Sequence, residues 1–160
     1  MVAQGDFVGA LSPARVLGYF EGIPVVFVTA ELWTDRLFIR LCASQNERTR
    51  TLDAQWAREF EQFTQEVLAA RERGDAVRPE PPEQPGAVLS RIPLIVSDEF
   101  GTAYRPNGVS AGGTGSEWRA EWCFEPGVPV AATVLTVRLD TSEASGLACG
   151  VPLRDLALPQ

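Results

Sequence analysis

Histidine is absent from this chain of 160 residues. That removes the commonest general base, the commonest zinc and iron ligand, and the usual serine or cysteine triads. Lysine is absent too, so all 14 basic residues are arginine. The three cysteines, Cys42, Cys123 and Cys149, show no C-x-x-C spacing, which gives a zinc or redox centre no support. No apolar run approaches the roughly 18–20 residues needed to span a bilayer. The N-terminal stretch has neither a basic region nor a continuous apolar one, so no signal peptide is expected and the chain reads as cytoplasmic. Neither nucleic acid nor membrane is expected as a partner. A net charge of −7 repels phosphate backbones, and the arginines are scattered rather than clustered.

What remains is a chain with 45% apolar residues, enough to bury the core of one domain over 1–160. Met1 to Pro13 reads as a loose arm. Arg15–Phe20 and Ile23–Trp33 read as strands, the second being the richest in β-branched and aromatic residues. In Ile23–Trp33, Val26, Val28, Ala30 and Leu32 share one face, and Val25, Phe27, Thr29, Glu31 and Trp33 the other. Arg36–Ala43 alternates cleanly, with Leu37, Ile39, Leu41 and Ala43 inward.

Leu52–Arg73 is the one helix pattern: Trp56, Phe60, Phe63 and Val67 fall at i, i+4, i+7 and i+11. Thr51 or Ser44 is its expected cap, and Gly74 its stop. Asp75–Gly86 contains four prolines and reads as an extended connector, so residues 44–87 form a crossover insertion of helix and connector. The stripe either packs across the sheet or faces another protein. With Trp33, its residues Trp56, Phe60 and Phe63 are the candidate interaction surface.

Beyond the insertion, Val88–Ser97 and Thr102–Arg105 read as two strands of a hairpin around Asp98-Glu99-Phe100-Gly101. Asn107–Ser116 reads as a glycine-rich inter-strand loop; without G-x-x-x-x-G-K-[ST] it is no phosphate cradle. Glu117–Phe124 places Trp118, Ala120, Trp122 and Phe124 inward, and Ala132–Leu139 places Leu135, Val137 and Leu139 inward. Leu147–Leu156 adds a final short strand, with Pro152 suited to an edge. Seven or eight short strands without a β-α-β rhythm predict a mainly β, antiparallel sandwich with one inserted helix.

Asp98-Glu99 is the only adjacent acidic pair, but its residues and Gly101 explain themselves as a turn, in which Glu99 carries little and Gly101 a positive φ. Calcium binding there would need further ligands such as Asp35, Asp140 or Glu143. The turn motif D-E-F-G-T-A-Y, the glycine stretch, W-R-A-E-W-C-F-E-P and V-L-T-V resemble uncharacterised immunoglobulin-like β-sandwich proteins of actinobacterial type. The resemblance covers Val88 to Leu139, implies the fold alone and transfers no catalytic residue. The expected function is therefore non-enzymatic: binding of another protein, or self-association, with no cofactor and no metal. A carbohydrate- or calcium-dependent ligand-binding sandwich is the alternative.

Overall fold

Strand β3 (Ile23–Trp33) is the backbone of the larger sheet, and its neighbours follow from its length. In a computed structural model describing residues 5–76, 79–140 and 149–153, two short strands share one edge of β3. β2 (Arg15–Phe20) pairs with Ile23 to Phe27, and β1 (Phe7–Leu11) pairs with Ala30 to Trp33. The expected loose arm is therefore a strand over its described part: Val8 and Leu11 pack on the core, which rewards ordering it. β4 (Leu37–Ala43) takes the other edge, followed by β7 (Arg119–Glu125) and β6 (Arg105–Gly112), completing six antiparallel strands. A three-stranded antiparallel sheet, β5 (Leu94–Asp98), β8 (Val134–Leu139) and β9 (Cys149–Pro152), completes the strands among the described residues. The total is nine, beyond the expected seven or eight, in a mainly β, sandwich-like arrangement. Of the expected last strand, residues 147–148 and 154–156 lie outside the described residues.

The two-face pattern of β3 holds only in halves. Ile23, Val25 and Phe27 are buried, then the register against β4 shifts between Phe27 and Thr29, and Ala30 and Leu32 are buried instead. A β-bulge at Val28 exchanges the faces. Inward residues of β4 and β8 are those expected, and Trp118, Ala120 and Phe124 are buried as expected, with Trp122 half-buried.

Five further expectations are corrected. Helix α1 runs Glu47–Arg73, starting a turn and a half before Leu52, and its cap is Asn46 rather than Thr51 or Ser44. Asn46 Oδ1 accepts from the Thr49 N–H, while Thr49 Oγ1 accepts from the Asn46 N–H, so a Thr fills the place usually held by Glu or Gln. Val88–Ser97 is not one strand: Pro85–Arg91 forms a 3₁₀ turn that buries Leu89, and β5 begins only at Leu94. β5 and β6 form no hairpin, since β5 pairs with β8 and β6 pairs with β7 in the other sheet. The glycine-rich stretch is largely strand, with Asn107 to Gly112 lying within β6.

The helix does not lie across the sheet. About 40 Å long by its residue count, it has Thr49 as its sole buried residue. Its start is fastened twice: Asn46 Nδ2 donates to Gly22 O at 2.8 Å, and Asp53 Oδ1 accepts from Gly115 N at 3.0 Å and Trp118 Nε1 at 2.9 Å. Removing Asp53 strands the indole N–H of a Trp that is 1% exposed. Asp53→Ala is expected to cost about 2–3 kcal/mol in urea unfolding, with Asp53→Asn recovering most of it because an acceptor remains. Gly86→Ala should be at least as damaging, since a Cβ there collides with the Gly112 carbonyl.

Candidate functional site

The two ends of β3 carry the two candidate surfaces, about 33 Å apart at strand rise. At the Ile23 end stands the α1 arm. Trp56 stacks on Phe60 at a centroid distance of 4.9 Å, and Phe60 meets Phe63 at 5.8 Å, so the helical spacing read from sequence does build an aromatic ladder. Trp33 is not part of it. Trp33 lies at the opposite end, edge-on to Phe7 at 5.4 Å.

The ladder's partner is the proline connector. Trp56 Nε1 donates to Pro82 O at 3.3 Å. Pro79, Pro82 and Pro85 are half-buried while Glu80, Pro81, Glu83 and Gln84 are exposed. A three-residue repeat is the period of polyproline II, and Gln84 has its dihedrals, φ −61° and ψ 142°. One proline edge therefore faces the helix, and α1 with its connector forms a projecting arm. The covering is partial: Phe60 remains 41% exposed and Leu68 53%.

At the Trp33 end the two sheets part around an apolar cleft of about 810 Å³. Val8, Leu32 and Trp33 form one wall, and Ala131, Val134 and Leu153 the other. No sequence signal pointed to it, because its walls come from four separate segments.

The acidic doublet forms the expected turn. Asp98 Oδ1 accepts from the backbone N–H groups of Phe100 at 2.9 Å and Thr102 at 3.2 Å, and Oδ2 accepts from the Tyr104 hydroxyl at 2.7 Å. Gly101 has the expected positive φ of 68°. Glu99, far from idle, accepts from the N–H and hydroxyl of Thr133 and fastens the cleft wall to the turn. Oxygens committed to donors in this way are poorly disposed to ligate a cation. Asp35 is likewise held by Arg36 at 2.6 Å, Asp140 is paired with Arg138 at 3.7 Å, and Glu143 lies outside the described residues. Cys42 and Cys123 are free and lie on the outer face of neighbouring strands. Cys42 is opposite Arg119 and Cys123 opposite Phe38, an offset of about 13 Å that no disulfide spans. Burial raises all three thiol pKa values, which keeps them protonated and unreactive.

No protein-family model, no curated protein and no solved structure matches the chain.

Burial on its own would raise the Asp98 carboxyl, but hydrogen bonds from Thr102, Tyr104 and the Phe100 N–H outweigh it and hold the group below the usual carboxylate range. A depressed native value adds stability that is present above the unfolded value near pH 4 and is lost as pH falls through the native one. Asp98→Asn should therefore cost about 1–2 kcal/mol at pH 7. Urea unfolding at successive pH values should show the gap to wild type shrinking below pH ~4.

Proposed function

We propose that this chain is a non-enzymatic β-sandwich module that binds another protein through its projecting arm. The observation that carries the reading is α1 itself: 27 residues long, with Thr49 as its sole buried residue. The body needs only the first two turns, where Asn46, Thr49 and Asp53 are fastened. The remaining five or so turns hold an aromatic ladder clear of the sheets, at a cost in ordered chain that the sandwich core does not recover. An amphipathic helix with exposed Phe and Leu is a common recognition element, read by apolar anchors a turn apart.

The immunoglobulin-like resemblance belongs to the same proposal, supported by two antiparallel sheets with apolar inner faces. So does a cytoplasmic setting, supported by three unpaired cysteines. Among the described residues no helix is long and apolar enough to cross a membrane. The carbohydrate alternative draws less support, because none of the four tryptophans is fully exposed to offer a stacking platform.

The test uses Phe60→Glu with Leu68→Glu, both on exposed positions. Affinity capture from native lysate should recover a defined partner with wild type and lose it with the double variant, while the melting temperature moves by no more than about 2 °C, as surface changes do. Recovery of the same partner by both proteins would move the binding surface away from the arm.

A further inference from the structure

We propose that the cleft at the Trp33 end is a binding site for an uncharged, apolar small molecule, held between the two sheets. Its size is one argument: about 810 Å³ falls within the range of small-molecule sites. Its chemistry is the second. Among the described residues lining it, no side chain is charged and only Thr34 and Thr133 are polar. Both hydroxyls are engaged, Thr34 Oγ1 accepting from the Asp6 N–H at 2.9 Å and Thr133 Oγ1 donating to Glu99 at 2.9 Å. The Trp33 Nε1 is shut off from solvent and has no partner among the described residues, so the indole offers the cleft carbon surface rather than a donor. A sugar or a carboxylate entering here would lose its water and find little in exchange. A hydrocarbon chain or a flat aromatic molecule loses nothing.

The third argument is that the cleft is fastened open. Two fixed contacts hold its walls in place. Gly127 lies so close to the backbone of Trp33 and Thr34 that any Cβ there would overlap the Thr34 carbonyl, which locks the 127–129 segment against the end of β3. On the other side Glu99 binds the N–H and hydroxyl of Thr133 and reaches the Val134 N–H at 3.4 Å, fixing the start of β8. A gap between sheets normally closes or fills with side chains, because packed interiors tolerate few voids. Here small side chains, Ala131 and Ala132, stand where larger ones would fill it, and both walls are pinned. Pre-formed volume of this kind binds an apolar ligand without a reorganisation cost.

The probe is N-phenyl-1-naphthylamine, which is neutral and fluoresces strongly only in apolar surroundings. Titrated into the whole protein, it should show a saturable, blue-shifted rise with one site per chain and a micromolar dissociation constant. Ala131 is exposed at the rim, so its replacement spares the core. Ala131→Trp, which fills the cleft, and Ala131→Glu, which charges it, should each weaken binding at least tenfold with an unchanged circular dichroism spectrum. The arm variant Phe60→Glu should bind the probe like wild type, so the result stands apart from the arm's role. An unsaturable or absent signal would overturn the proposal. So would wild-type affinity in both Ala131 variants, or loss of the signal in Phe60→Glu.

Discussion

The bulge at Val28 is the constraint on which the rest of the molecule depends. Were β3 to alternate without interruption, burial of Ile23, Val25 and Phe27 would carry Thr29, Glu31 and Trp33 inward as well. A carboxylate in an apolar sandwich core costs several kcal/mol. One extra residue exchanges the faces, so Ala30 and Leu32 turn inward and Glu31 turns out to meet Arg40 at 2.9 Å, which also reaches Glu121 at 2.6 Å. The break in β3 lies opposite the point where β1 gives way to β2, between Leu11 and Arg15. The edge of the sheet is thus built from two short strands that follow a bent one. The same exchange of faces places Trp33 beside the cleft rather than in the centre of the core.

The parts of the fold that were legible in the sequence are those where burial alone decides. β4, β7 and β8 alternate over five or more residues, and the structure buries the expected faces, with Trp122 only half-buried. Where polar backbone groups decide, the residues were ambiguous. Thr49 completes a capping box with Asn46, a pairing that the usual Glu or Gln signature misses, and so the helix begins earlier than its apolar stripe. Val88–Ser97 and Thr102–Arg105 read as a hairpin because sequence neighbours usually pair. Instead Asp98 closes the turn on Thr102 and Tyr104, and the chain leaves one sheet for the other. Of the four candidate interaction residues, the helical period brought Trp56, Phe60 and Phe63 together. No periodicity links them to Trp33, since the separation is set by the length of β3.

The aromatic ladder shows how an apolar stripe can be satisfied without a core. Three large side chains on a helix usually mean a sheet or another helix beneath them. The connector supplies the surface instead: prolines every third residue present a ridge whose backbone carbonyls stay free to accept, and Pro82 accepts from Trp56. Prolines suit the task because their φ is already fixed and little entropy is lost on docking. The return segment meets the helix at Trp56, a second contact for a helix that is fastened to the sandwich only at its start.

The acidic doublet illustrates the difference between a reactive carboxylate and a structural one. A general acid or base needs an oxygen free to take or give a proton and a pKa near the working pH. Asp98 and Glu99 have neither: each accepts hydrogen bonds from donors that stay put, and those bonds favour the charged form, lowering both pKa values. Tyr104 moves the opposite way, its hydroxyl pushed well above its ordinary value by burial and by the charge of Asp98 it donates to, so it too keeps its proton. The three groups divide one structural task. Asp98 and Tyr104 fix the crossing from the smaller sheet to the larger, and Glu99 ties that crossing to the wall of the cleft. The chemistry of the doublet is thereby spent on geometry, and the volume it helps to hold open, rather than the carboxylates themselves, is what remains for a ligand.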